Sequence, residues 1–368
     1  MHRNAEKYLR NNIRSVLIKY YNNDVFSASS LAVSRISDER CETWYENIGR
    51  YGENDRFEID ETARFDLASL TKPLVTLPCV LHLIDSRTMS WDDSLENLLE
   101  RDVPESFRDV ELQNLLSHNA GFGAHEEYWR VLKSMRDTDK TGWLLDQILY
   151  SKPAYSRGSR HVYSDLGYLL LGLIVEIKSG LRLDRYWSKH VAIPLGIQDN
   201  LLFPADSARD GQLFVPTGTC TWSGVELAGV VHDDNSRSLG GVTGHAGLFG
   251  SAEGVLSLCK EYLLLHSGRQ GSLQILPETF KRASTRVNKS EWTCGFNLPS
   301  VSGSSSGRFF SKQSFGHLGF TGVSFWVDTK NRLIVILLTN RVIKGECKKG
   351  IQEMRPEVHD TVISCLRE

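Results

Sequence analysis

Residues 316–341 read GHLGFTGVSFWVDTKNRLIVILLTNR, and this stretch decides the fold class. Apolar and β-branched residues dominate both halves, and the polar run Asp328–Asn331 separates them. The pattern predicts a long β-hairpin turning at Asp328–Asn331. A lone hairpin is marginal in water and needs further strands. Two more lie at the other end of the chain: SASSLAVSRI at 27–36 and TWYENIGRYG at 43–52, separated by the polar SDERCE. Between these ends the apolar residues recur at helical spacing. The segments are the run from Leu67 to Ile84, then VELQNLLSH, TGWLLDQILYS, DLGYLLLGLIVEIKSG, LDRYWSKHVA and SAEGVLSLCKEYLLLHSG. Ser251 is placed to cap the last of these and Gly268 to end it. Residues 5–22 and MRPEVHDTVISCLRE read as terminal helices.

Strands at both ends with helices between predict an α+β, three-layer fold. One antiparallel sheet is built from both termini and flanked by helices, with a mostly helical second region. The expected division is 1–78 plus 255–368 for the sheet and 79–254 for the helical region with its loops. Periodicity is lost between 200 and 250, where Gly, Asp and Ser rise, and VSGSSSG at 301–307 reads as a mobile loop.

Bulk properties narrow the function. The net charge of −2 gives no basic field for nucleic acid. No run approaches the length of a membrane span. The N-terminus MHRNAEKYLRNNIRSVLIKYY is charged throughout and lacks an apolar signal core, which points to a cytoplasmic protein unless the chain is trimmed or exported by another route. The cysteines, at 41, 79, 220, 259, 294, 347 and 365, are odd in number, widely spaced and without a CxxC. Neither a disulfide framework nor a zinc ribbon is expected. Cys79 and Cys259 lie in apolar helical stretches and read as core thiols.

Three short motifs carry chemistry. Ser-x-x-Lys puts both side chains on one helix face, where a buried lysine can take a serine proton. It occurs at Ser69–Lys72 and at Ser257–Lys260. The second pair falls off its helix's apolar stripe and reads as solvated surface. The first lies on a helix that is otherwise apolar, where Ser69, Lys72 and Thr76 form one polar line. Pro73 suits a first turn, but Pro78 is interior and should kink the helix. Tyr-x-Asn/Asp occurs at Tyr20, Tyr21, Tyr45 and Tyr163. Only Tyr163 ends an irregular stretch just before a helix, a good place to present a phenol to a cleft. Asp165 is then either a helix-cap residue or part of the site. A cation or His, any residue, then Gly occurs at several places, Lys178, His245, His266, His317 and Lys348 among them. His317 alone opens a clear strand, and Gly319 lets that backbone approach a ligand. The amides of Ser69 and Phe320 could then hold an oxyanion.

Taken in order, Ser-x-x-Lys, Tyr-x-Asp and His-x-Gly resemble the signature of the serine β-lactamase and penicillin-binding-protein family. DLASLTKPL, LQNLLSHNAGF, YSDLGYLLLG, VHDDNSRSLGGVTGHAGLFGSAEGV and LLTNR place the resemblance nearer the class C β-lactamase, D-alanyl-D-alanine peptidase and esterase branch. It covers roughly Ser27 to Arg341. The resemblance implies an acyl-enzyme on Ser69, with Lys72 as first proton acceptor, Tyr163 and His317 catalytic, and Asp165 and Gly319 supporting. It places Asn119, His232 and His245 near the substrate. It implies no cofactor and no metal, and a small-molecule or peptide acyl substrate as the partner. Asp165 stands where Asn is usual, and His317-Leu318-Gly319 where Lys-Thr-Gly is usual. Leu318 lacks the hydroxyl that would bind a substrate carboxylate, so ester, amide or D-amino-acid peptide hydrolysis is expected ahead of penicillin hydrolysis. Two rivals stand beside this reading: a non-hydrolytic binding module, and a metal-dependent hydrolase using His232 and His245.

Overall fold

The computed structural model describes residues 2–37, 40–52, 58–204, 214–345 and 349–367. Lys348 and Cys347 lie outside them. Five strands form the main antiparallel sheet: β1 (Ala28–Ile36), β2 (Cys41–Gly49), β3 (Phe315–Leu318), β4 (Ser324–Asp328) and β5 (Leu333–Thr339). Their spatial order is β2-β1-β5-β4-β3, so the two chain ends meet at the β1–β5 pair, in register from Ser29↔Thr339 to Arg35↔Leu333. Five helices frame the site: α1 (His2–Asn22), α2 (Leu77–Asp85), α3 (Asp165–Ser179), α4 (Ala252–His266) and α5 (Lys349–Arg367).

Strand alternation sends side chains to two faces. Leu31, Val33, Trp326, Val335 and Leu337 pack against Leu9, Ile13 and Leu17 of α1 and Met354, Val358 and Val362 of α5. Ala28, Ala32, Phe325, Ile334, Ile336 and Leu338 face the larger core, which runs through α4 and α2 to α3. Each large apolar side chain fully buried there contributes about 1.5–3 kcal/mol. The terminal helices, the sheet and the helical region thus make three layers. Ser251 caps α4 as expected, its side chain accepting from the Gly254 N–H.

Two expectations need correction. The 316–341 stretch is a three-stranded meander rather than one hairpin, because Gly319–Val323 makes a second turn. His317 therefore does not open a long strand; it sits near the end of the short edge strand β3. The run from Leu67 to Ile84 is not one helix. It is a 3-10 turn over Ala68–Leu70, a π-turn over Lys72–Thr76, and then α2. The prolines explain this. Leu77 N–H reaches back to the Lys72 carbonyl, and Pro78 has no N–H to give the Pro73 or Leu74 carbonyls. Both find side chains instead: Tyr262 Oη donates to Pro73 O at 2.6 Å and Trp187 Nε1 to Leu74 O at 2.9 Å. Pro78 ends up in the first turn of a new helix, where its missing donor costs little.

Candidate active site

Ser69 lies in the 3-10 turn, directly after a residue held in the left-handed region, Ala68 with φ +46°. That conformation is uncommon for a residue with a Cβ and persists only where surroundings impose it. Asp66 imposes it here. Its buried carboxylate accepts from Ala68 N–H at 2.8 Å and from His232 N–H at 2.7 Å. Burial pushes the Asp66 carboxyl up, against those backbone donors. Thr321 Oγ1 donates to the Asp66 carbonyl, so this one residue joins the Ser69 turn, the 232 loop and the turn after β3.

Lys72 is fully buried, and its ammonium has three acceptors. Asp165 Oδ1 stands at 2.7 Å, Ser69 Oγ at 3.1 Å and the His245 carbonyl at 3.3 Å. Three acceptors match the three donors of an ammonium. Burial pulls the Lys72 pKa down, but Asp165 and Tyr163 outweigh it and the pKa is raised. Asp165 is correspondingly held well below the usual carboxylate range, by Lys72 and His125 against the effect of burial. Asp165 and Tyr163 thus favour the ammonium form of Lys72, whose N–H groups face these three acceptors.

The segment Thr243–Leu248 lies along the Ser69–Thr76 run. Thr76 Oγ1 donates to Gly244 O at 2.6 Å, and Leu248 N–H donates to Thr71 Oγ1 at 3.2 Å. This places His245 O on Lys72. The His245 ring is buried and pairs with Asp233 Oδ1 at 2.9 Å, while Asp233 also caps the Asp234–Ser238 turn.

Tyr163 precedes α3, whose N-cap Ser164 accepts from Gly167 N–H. The loop after Ser117 pins this corner. Val162 N–H donates to His118 O at 2.8 Å, Ser164 N–H to His118 Nδ1 at 3.1 Å, and Asp165 N–H to Ala124 O at 2.8 Å. His118 is buried against the rings of Tyr163, Tyr168 and Trp292, and burial holds it neutral. The Lys72 ammonium lies 4.6 Å from the Tyr163 ring centre. The Tyr163 hydroxyl is buried close to Lys72 and Ser69 and makes no hydrogen bond of good geometry among the described residues. Burial pushes its phenol up, and Lys72 pulls the other way. A buried, unpaired hydroxyl beside a cation is costly unless a ligand or reacting group satisfies it.

His317 is buried with its ring 5.9 Å from that of Tyr163. Nδ1 donates to Leu318 O at 2.9 Å. Burial and Lys72 push its pKa down to about 3, so the ring is neutral and Nε2 keeps a lone pair. Gly319 is needed for close approach: a Cβ there would sit 2.3 Å from Val323 Cγ2 and 3.0 Å from Leu67 O, beside the Ser69 turn. Phe320 stacks on His232 at 5.8 Å, and its carbonyl accepts from Arg341 Nε at 2.8 Å.

These groups open into one cleft of about 760 Å³, lined by Ser69, His125, Tyr163, Asp165, His317 and Phe320 among others. His232 also lines it. Asn119 does not: its side chain accepts from Asn114 Nδ2 at 2.9 Å and its carbonyl from Gly158 N–H, bracing the loop. Ser257 and Lys260 are half-buried on α4, where Lys260 points to Thr43 rather than to Ser257. His232 and His245 do not converge as metal ligands, since one stacks on Phe320 and the other pairs with Asp233. Asp66, His118, His125 and Trp292 are parts of the site that spacing did not single out. His118 ends the LQNLLSH stretch and His125 follows it, but only tertiary contacts reveal their partners.

A Ser-x-x-Lys pair with its lysine buried and its serine at the cleft, facing a tyrosine and a β-edge His-x-Gly on an antiparallel sheet with a helical region beside it, defines a serine hydrolase of the penicillin-recognising type. The profile of the Beta-lactamase family matches residues 31–352, and the chain belongs to this family. A protein of Escherichia coli K12 named as a D-alanyl-D-alanine carboxypeptidase is 30% identical over 307 residues, covering 75% of this chain and 69% of that one. A Salmonella enteritidis protein of the same name is 28% identical over 309 residues, with the same coverage. Among solved structures, the hydrolase EstCE1, described as having promiscuous acyltransferase activity, superposes with TM-score 0.73 at 19% identity, covering 96% of this chain and 99% of that one. The octameric penicillin-binding protein homologue from Pyrococcus abyssi gives 0.71 at 18%, over 90% and 73%. No helix among the described residues is long and apolar enough to cross a membrane.

Proposed function

We propose that this chain hydrolyses esters and D-amino-acid-containing peptides through an acyl-enzyme on Ser69. The observation that carries this reading is the buried Lys72 ammonium, shared between Ser69 Oγ and Asp165 beside an unpaired Tyr163 hydroxyl. In the active form Tyr163 is a phenolate, stabilised by Lys72. It takes the Ser69 proton as Oγ attacks the carbonyl, and returns that proton to the leaving group. The amides of Ser69 and Phe320 hold the oxyanion. Lys72 is catalytic as a fixed cation, and Asp165 keeps it one.

The relatives named as carboxypeptidases support the peptide branch, and the fold shared with EstCE1 supports the ester branch. Two features argue against penicillins as preferred substrates. Leu318 offers no hydroxyl, and the neighbouring Thr321 hydroxyl is already given to Asp66 O. His317 is neutral where a lysine would add a second cation for a substrate carboxylate. The arginines that also line the cleft, Arg341 and Arg355, donate to the backbone carbonyls of Phe320, Gly319 and Val323.

The test is a panel of p-nitrophenyl esters, D-Ala-D-Ala peptides and nitrocefin, with wild type and Ser69→Ala. Ester and peptide turnover should exceed nitrocefin turnover and climb toward alkaline pH, as the raised phenol gives up its proton. Ser69→Ala should lose at least about 10³-fold. Turnover that survives Ser69→Ala and ends with EDTA would favour the metal-dependent rival. Tight, reversible ligand binding without turnover would favour a binding module.

A further inference from the structure

Asp165 carries a second partner that the mechanism above leaves idle. Its Oδ1 holds Lys72, while its Oδ2 lies 3.1 Å from His125 Nδ1. His125 comes from the loop that pins Tyr163, and its side chain is 43% exposed into the Ser69 cleft. An ionised carboxylate only accepts, so the hydrogen on this bond belongs to Nδ1. Nε2 then keeps its lone pair, and it makes no hydrogen bond to protein among the described residues. A carboxylate that fixes the tautomer of an imidazole, in the same cleft as the nucleophile and with its other nitrogen free of protein partners, is an arrangement that general-base catalysis uses.

We propose that the Asp165–His125 pair is the general base of the second half-reaction, with His125 Nε2 activating the water that releases the acyl group from Ser69. This rests on the acyl-enzyme reading above. A water oxygen bonds to the acyl carbon while one of its protons passes to Nε2. The bond from that carbon to Ser69 Oγ then breaks. The proton taken up by His125 is delivered to Oγ through the cleft, while Lys72 stays an ammonium and holds the departing oxygen by the hydrogen bond it donates. The product leaves as a carboxylic acid, and nothing is oxidised or reduced. The work is divided: Tyr163, whose hydroxyl is buried beside Lys72, serves acylation, and His125, with 43% of its side chain exposed, serves water.

The electrostatics suit the role. The bond to Asp165 raises the His125 pKa above the ordinary histidine value, against some burial, and Asp233 and Glu127 also face the ring and favour its charged form. Glu127 is itself engaged by Arg130, and Asp233 by His245. A base of raised pKa takes a proton from water more readily once it is neutral. The deacylation rate should therefore rise with pH through a value above that of a free histidine.

The experiment is pre-steady-state hydrolysis of a p-nitrophenyl ester by wild type, His125→Ala and His125→Gln, with intact-mass analysis of the enzyme during turnover. His125→Ala should keep the rapid burst of one p-nitrophenol per site, which also reports a folded site. Its steady rate should fall about 10²-fold, and the acylated Ser69 form should accumulate. Added imidazole should restore the steady rate of His125→Ala. His125→Gln should stay slow even though its amide can still donate to Asp165, which separates base chemistry from mere positioning. The proposal is overturned if His125→Ala turns over within twofold of wild type, if its burst slows while no acyl form accumulates, or if His125→Gln restores the rate. A wild type that forms no acyl adduct yet hydrolyses the ester would remove the acyl-enzyme reading itself, an outcome that differs from all of these.

Discussion

Lys72→Ala is expected to abolish acylation, with a loss of about 10³-fold or more in the burst rate. The size follows from what the ammonium touches. It donates to Ser69 Oγ, neutralises Asp165, and lies beside the Tyr163 ring. Without it a Tyr163 phenolate would face the Asp165 carboxylate with no cation between them. The Tyr163 pKa, already pushed up by burial, would climb further and leave the acceptor protonated. Stability suffers too, since removing one partner of a buried pair costs about 3–5 kcal/mol. The partial exposure of Asp165 and its bond to His125 put this case at the lower end. Lys72→Met, which keeps the stem and its packing, separates the two effects. It should fold better than Lys72→Ala and acylate as poorly. Stopped-flow burst kinetics beside chemical denaturation reads both, and acylation within tenfold of wild type in Lys72→Met would remove Lys72 from the chemistry.

Gly244→Ala should be among the most destabilising single changes outside the reacting groups. A Cβ at this position would lie 2.1 Å from Tyr168 O and 2.7 Å from Gly172 N, both backbone atoms of α3. No rotamer relieves a clash with helix backbone, so the 243–248 segment must move. Overpacking in a well-packed core costs about 1–3 kcal/mol, and this contact belongs at or above the top of that range. The segment also delivers His245 O to Lys72 and takes the Thr76 hydroxyl at Gly244 O, so activity should fall with stability. Urea denaturation gives the answer, and a stability change under about 1 kcal/mol would mean that the two backbones are not in contact.

Periodicity and position made much of this legible in advance. The sheet from both termini follows from strand patterns at 27–36, 43–52 and 324–339, and Ser69 was separable from Ser257 because only its helix is apolar on all other sides. Turn chemistry was harder. Gly319 and Gly322 in the 316–341 stretch marked a second turn, and Pro73 with Pro78 marked a change of winding that depends on Tyr262 and Trp187, far away in sequence. Asp165 was legible in part: a carboxylate where Asn is usual could pair with Lys72, but its second partner, His125, was not readable from spacing. Ser164 caps α3, which leaves the Asp165 carboxylate to Lys72 and His125. Leu318 was readable as a lost hydroxyl, but the engagement of Thr321 by Asp66 needed coordinates.

The central claim is that Ser69 becomes covalently acylated. Intact-mass and peptide mapping after reaction with a fluorophosphonate probe and with a slowly turned-over ester test it directly. The expected result is one adduct per chain, located on Ser69, absent from Ser69→Ala and strongly diminished in Lys72→Met. Ester turnover by wild type with no adduct on Ser69 from either reagent, or an adduct that persists in Ser69→Ala, would contradict it.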